Sequence, residues 1–174
     1  MKLHELFRRN GGQKGFSLIE ILAALAITGL IGAGAATATI QIFTQGSRNT
    51  DYTTASRHTM NAIYWISRDA QMSQNLSPAG GSGFPITLSW VEWDNSAHQV
   101  IYSIEDDTIR RSYSINGSAP KEIVVAHYIN SISENTTCAY ADKKLTLTVT
   151  STVGEGAKAL SVTKIREIHP RPRM

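Results

Sequence analysis

Residues 21–40 carry no charged side chain: twenty consecutive positions hold only Ile, Leu, Ala, Gly and Thr. As one helix such a run is about 30 Å long, enough to cross the hydrocarbon core of a bilayer. A short basic segment precedes it, and Glu20 stands at its start. A carboxylate inside a bilayer costs about 2.5–3.5 kcal/mol at the centre and less near the edge. A chain that keeps Glu20 in its anchor therefore has a use for it.

The 174 residues allow this anchor and one domain of ordinary size. The net charge of +3 is misleading as a whole-chain figure. Residues 1–15 hold Lys2, Arg8, Arg9 and Lys14 against Glu5, which leaves 13 basic and 13 acidic residues in the remainder. All the excess sits ahead of the apolar run, where positive-inside orientation keeps it in the cytoplasm. The balance beyond that point gives a nucleic-acid role no support, since phosphate contacts need clustered Lys and Arg. Arg110-Arg111, Lys143-Lys144 and Arg171/Arg173 are the only basic groupings there, and each is expected to be solvated. The single cysteine, Cys138, cannot form an intramolecular disulfide and is expected to be a small buried residue.

Three readings of the N-terminus compete. A secretory signal peptide finds a small-residue site at Ala36-Thr37-Ala38, but its apolar core is ordinarily about 7–15 residues, shorter than this run, and Glu20 falls inside it. A plain single-pass anchor explains length and orientation but neither Glu20 nor the Lys14-Gly15-Phe16 step. The third reading explains both. Lys14-Gly15-Phe16-Ser17-Leu18-Ile19-Glu20-Ile21-Leu22 closely resembles the processing and methylation motif of type IV prepilins and type II secretion pseudopilins.

That resemblance implies a prepilin peptidase that cuts between Gly15 and Phe16, with Arg8, Arg9 and Lys14 as the basic residues of the leader. It implies N-methylation of the new Phe16 amine, with Glu20 as the carboxylate of assembly and methylation; Gly29 falls where the family usually has glycine. The physical chemistry agrees. Cutting before Phe16 leaves an ammonium at the end of an apolar helix, one turn from a carboxylate, and pairing the two between neighbouring subunits relieves both. Family members often have proline about where Thr37 stands. Here the cluster Gly29, Gly32 and Gly34 is the only support for a locally melted helix.

Beyond the anchor, Tyr52, Ala55, Thr59, Ile63, Ile66 and Ala70 recur at helical spacing. No proline occurs before Pro78, so one helix is expected over residues 16–76, with Tyr64 and Trp65 as packing residues. Residues 77–83, rich in Gly and Ser, read as a loop. Period-two alternation then predicts strands at 86–93, 100–104 and 108–115, with a solvated turn at Glu105-Asp106-Asp107 and a turn at Asn116-Gly117. Further strands are expected at 122–125, 128–133, 144–153 and 158–168, and the proline-rich tail is expected to be extended. The fold class is α+β: a long helix, its first half transmembrane and its second amphipathic, on an antiparallel sheet, a shape that resembles pilins. The divisions are a leader (1–15), a transmembrane and assembly helix (16–43), its amphipathic continuation (44–76), the sheet domain (77–168) and a tail (169–174). The strand pattern is also similar to that of J-type or W-type minor pseudopilins.

His4, His58, His98, His127 and His169 show no metal-ligand spacing, and no catalytic or nucleotide-binding fingerprint is present. No enzyme, cofactor or metal is expected; each histidine is expected to be satisfied or solvated. The resemblance implies a minor subunit of a type II secretion pseudopilus or type IV pilus. It would wait in the cytoplasmic membrane with its C-terminal domain outside the cytoplasm, then enter a filament in the periplasm or at the cell surface. The partners so implied are the prepilin peptidase and N-methyltransferase, other pilins or pseudopilins, a membrane platform protein and an assembly ATPase. A membrane-anchored adhesin or sensor that never polymerises is the alternative.

Overall fold

A computed structural model describes residues 15–78 and 81–171. The chain divides into two units, residues 1–45 and 46–174. Helix α1, Leu18–Met72, has its first part in one unit and its second in the other.

In the first unit every described residue is exposed. The helix runs unbroken through Gly29, Gly32 and Gly34, so the glycine cluster does not melt it. The threonines of the apolar run stay paired by donating to carbonyls one turn back: Thr28 to Ala24 at 2.7 Å, Thr37 to Ala33 at 2.5 Å and Thr39 to Ala35 at 2.9 Å. An unpaired hydroxyl in an apolar medium would cost several kcal/mol, so these bonds make the segment compatible with lipid.

In the second unit the helix buries Ala55, Thr59, Ala62, Ile63, Ile66 and Ala70 along one face. The spacing predicts this face, except that Tyr52 is exposed. The helix ends at Met72 rather than near residue 76. Ser73 closes it, its N–H donating to Asp69 O at 3.1 Å and its hydroxyl to Ala70 O at 2.8 Å. The Gln74 N–H then donates to Ser89 O at 2.9 Å, which turns the chain onto a neighbouring strand. Residues expected to finish the helix and open a loop thus form strand β1, Asn75–Pro78. Pro78 is tolerated because β1 lies at a sheet edge, where a missing N–H breaks no ladder.

Five strands follow one another in space as an antiparallel meander: β1, β2 (Ile86–Val91), β3 (Ala97–Glu105), β4 (Thr108–Ile115) and β5 (Lys121–Ala126). A second sheet pairs β6 (Thr137–Ala141), β7 (Lys144–Val153) and β8 (Leu160–Ile168) in that order. The expected strand at 128–133 does not form. Tyr128 has a left-handed φ of 59°, which breaks the extended run, and Ile129 makes only an isolated bridge to Ser151. Strand β6, absent from the sequence expectation, is joined to β7 by the two-residue turn Asp142-Lys143, both at positive φ. Asp106-Asp107 turns β3 into β4 in the same way. The stronger turn signal, Asn116-Gly117, lies in a longer connection between β4 and β5. Strand β8 starts two residues late because Gly156–Lys158 forms a short 3-10 turn.

Alternation sends Ile86 and Leu88 of β2, Val100 and Tyr102 of β3, and Leu145, Leu147 and Val149 of β7 into one core with Ile66 and Ala70 of the helix. Cys138 is buried in that core and is not in a disulfide.

Candidate functional site

Gly15, Phe16 and Ser17 precede the first turn of α1. The Ser17 carbonyl accepts the N–H groups of Glu20 at 3.0 Å and Ile21 at 3.2 Å, so Ser17 is the N-cap. The Ser17 N–H in turn donates to Glu20 Oε2 at 3.4 Å. This is the carboxylate arm of a capping box, written in the chain as Ser17-x-x-Glu20. A negative charge in the first turn also faces the positive end of the helix dipole. The sequence signal for the cap is plain once sought, yet the methylation motif alone gives no reason to look for it.

Phe16 is 83 % exposed, and it lines one shallow groove of about 420 Å³ with Glu20, Ala24 and Leu25. The structure thus brings together two of the residues singled out from sequence, the one after the expected cut and the expected assembly carboxylate. Gly15 adjoins them in the chain, and added bulk there would meet nothing within 4 Å. The leader residues Arg8, Arg9 and Lys14 lie outside the described residues.

The globular unit holds polar clusters that sequence reasoning did not assemble. Asp69, on the helix, is 1 % exposed and accepts the Tyr102 hydroxyl at 2.5 Å and the Arg111 Nε–H at 2.7 Å. Burial, and next the Asp69 charge, push the Tyr102 phenol far above its usual range. For Arg111 burial acts to lower the pKa, but the bond to Asp69 and its charge outweigh it, and the net shift is upward. Its guanidinium also lies 5.3 Å from the centre of the Trp65 ring and 4.9 Å from that of Tyr113. Arg111 is therefore not the solvated residue expected from the Arg110-Arg111 pair. Neighbours on a strand point to opposite faces, and Arg110 instead meets Glu105 at 3.4 Å near the turn.

His98 is buried, stacked at 5.1 Å on Trp90, and its Nδ1 lies 2.6 Å from the Tyr113 hydroxyl. His58 packs edge-on against His127 and Tyr128, its Nδ1 accepting the His127 backbone N–H at 3.2 Å. Partial burial, and next the nearby His127, lower its pKa. His58 is satisfied, as expected, whereas His98 is only half so: its buried Nε2 has no hydrogen-bond partner among the described residues and lies 3.7 Å from Glu92 Oε1. Trp93, expected at the end of a strand, instead follows β2 in a turn and is 94 % exposed.

Against known proteins, the family model described as a prokaryotic N-terminal methylation motif matches residues 10–36. The match takes in Gly15, Phe16, Glu20 and Gly29, and α1 within it is long and apolar enough to cross a membrane. The chain thus carries an N-terminal methylation motif on an α+β fold. No curated protein and no solved structure matches the chain.

Proposed function

We propose that this chain is a membrane-anchored structural subunit of the type IV pilin class, matured at its N-terminus and then built into a filament. More particularly, it is a minor pilin or pseudopilin of a type IV pilus or a type II secretion pseudopilus. The observation that carries this reading is the shared groove of Phe16 and Glu20 inside the matched methylation motif.

Hydrolysis of the Gly15–Phe16 peptide bond removes residues 1–15 and turns the Phe16 amide nitrogen into an ammonium, which is then methylated. Prepilin peptidase is the enzyme for both steps, and this chain is its substrate. A lone ammonium and a lone carboxylate are both costly in lipid, and joining them between adjacent subunits removes both penalties. The cap geometry leaves room for this. Glu20 Oε2 holds the Ser17 N–H of its own helix, which leaves Oε1 to accept the Phe16 ammonium of a neighbour. Residues 16–43 would then pack among sibling helices, with Gly29, Gly32 and Gly34 permitting close approach. Residues 44–76 and 77–168 carry the part outside the cytoplasmic membrane. The platform protein and assembly ATPase act on the subunit from the membrane and cytoplasm.

Intact mass of the chain from its native host tests the first step: loss of residues 1–15 with one added methyl group is expected. A chain that keeps those residues, or one cut after Ala38, overturns the reading. Glu20→Ala is expected to leave the cut intact and to impair methylation or filament entry. Normal incorporation of that variant would remove the pairing role and favour an anchored protein that does not polymerise.

A further inference from the structure

A groove of about 390 Å³ lies between α1 and β8, with Arg68 of the helix and Arg166 of the strand both lining it. The Thr59 hydroxyl donates to Val162 O at 3.3 Å, which sets the level of helix against strand. From Thr59 to Arg68 is about 13.5 Å along the helix, and from Val162 to Arg166 is about 13 Å along the strand. The two arginines therefore stand level across the groove.

Their charges are unmatched. No carboxylate lines the groove, and neither arginine has an ion pair among the described residues. Arg68 rests on the Trp65 ring, its Cζ 5.6 Å from the ring centre. The nearby acids are engaged elsewhere: Lys144 holds Glu167 of β8 at 2.8 Å, and Arg111 holds Asp69 of the helix at 2.7 Å.

Ser67 lines the same groove and is 6 % exposed, yet its Oγ has no hydrogen-bond partner among the described residues. Thr59, buried on the same helix, donates to Ala55 O at 2.9 Å, and Ser67 makes no such bond. A buried hydroxyl ordinarily has a partner. Two guanidinium groups and a hydroxyl can all donate, and an ionised carboxylate accepts from all of them.

The strand side of the groove is the edge of a sheet. β8 is the last strand in its order, so the backbone edge away from β7 pairs with no strand, and Val162 O lies on that edge. Backbone groups alternate in direction along an antiparallel strand, so those of Lys164 and Arg166 face the same way as those of Val162. An open edge of this kind offers main-chain hydrogen bonds that a second extended polypeptide takes up in register. Met60 and Tyr64 give the groove an exposed apolar rim.

We infer that this groove is a docking site for an extended acidic segment of another protein, which adds to the β8 edge and sets an Asp or Glu carboxylate between Arg68 and Arg166, facing the Ser67 hydroxyl. The charge match, the idle buried donor and the open edge each select the same occupant. The inference rests on the globular unit and holds whether or not the chain enters a filament.

The test uses the full chain in its native host, with the photoreactive residue p-benzoylphenylalanine at position 64. After irradiation the adduct is mapped by peptide mass spectrometry, and it is expected to join position 64 to a segment of another protein that holds Asp or Glu. Arg68→Glu with Arg166→Glu is expected to lower the yield by about tenfold. Ser67→Ala should lower it by a similar factor, whereas Arg68→Lys keeps most of it. Both arginines are exposed, so the double variant should unfold at the wild-type midpoint. A synthetic peptide of the mapped sequence, added to the detergent-solubilised full chain, is expected to slow amide exchange in β8. Absence of an adduct, adducts with lipid or with this chain alone, a mapped segment without an acidic residue, yields indifferent to these substitutions, or unchanged exchange in β8 would each overturn the docking site. Intact mass of the same samples scores the leader separately, so this site and the subunit reading fail independently.

Discussion

Arg111 Nε donates to Asp69 Oδ2 at 2.7 Å, with the two side chains 13 % and 1 % exposed, so a buried ion pair joins strand β4 to helix α1. Removing one partner strands the other charge away from water. Arg111→Ala and Asp69→Ala are each expected to cost about 3–5 kcal/mol. The paired change Asp69→Leu with Arg111→Met should recover most of that loss. Denaturant unfolding of the detergent-solubilised chain, followed by tryptophan fluorescence, reads it directly because Trp65 lies beneath the guanidinium. A single-variant loss under about 1 kcal/mol would mean that water reaches the pair.

The helical stripe divides cleanly by burial. Ile66 is fully enclosed, and Ile66→Ala should cost about 2–5 kcal/mol. Tyr52, on the same spacing but 51 % exposed, should change stability by about 0.5 kcal/mol or less when replaced by alanine. Equal losses at the two positions would contradict the packing described here.

Glu20 caps its own helix, and the proposed function gives it a second, separable job, offering charge to a neighbour. Glu20→Gln keeps an oxygen for the Ser17 N–H and loses the charge. Filament incorporation of Glu20→Gln should therefore fall as far as that of Glu20→Ala. Wild-type incorporation of the glutamine variant would assign the residue to capping alone.

The Cys138 thiol is buried, and desolvation pushes its pKa up to about 11. At pH 8 its thiolate population should lie about a hundredfold below that of an exposed cysteine. Alkylation timed by mass spectrometry should be slow in the folded chain and fast in denaturant. Rapid labelling of the native protein would show that the core around Cys138 opens readily.

His58 titrates below the ordinary histidine value because partial burial, then His127, disfavour its charged form. The unfolded chain therefore binds this proton more readily than the folded one. The His58 contribution is complete above about pH 6.5 and is lost as pH falls through the lowered folded value. The unfolding midpoint should drop between about pH 7.5 and pH 5.5, and less so in His58→Phe. An unchanged pH response in that variant would place the effect elsewhere.

The Gly15-Phe16 step, Glu20, the apolar run and the helical stripe around Ile66 are legible in the chain because each depends on neighbours a few residues away. A charge-free run declares its solvent, and 3.6-residue spacing declares a buried face. Most strands were readable for the same reason, since alternation is local. The end of α1 was not. Whether residues 75–78 continue a helix or pair with β2 depends on Ser89 and Leu88, more than ten residues on. Strand β6 and the failed strand at 128–133 were likewise settled by pairing and by the left-handed backbone at Tyr128. The burial of Arg111 depended on Asp69, 42 residues away. Sequence by itself determined the run long and apolar enough to cross a membrane and the methylation motif that holds the Gly15-Phe16 step. Only the tertiary structure decided which charges are paired in the core and which remain open in grooves, because pairing and desolvation are properties of residues brought together from distant parts of the chain.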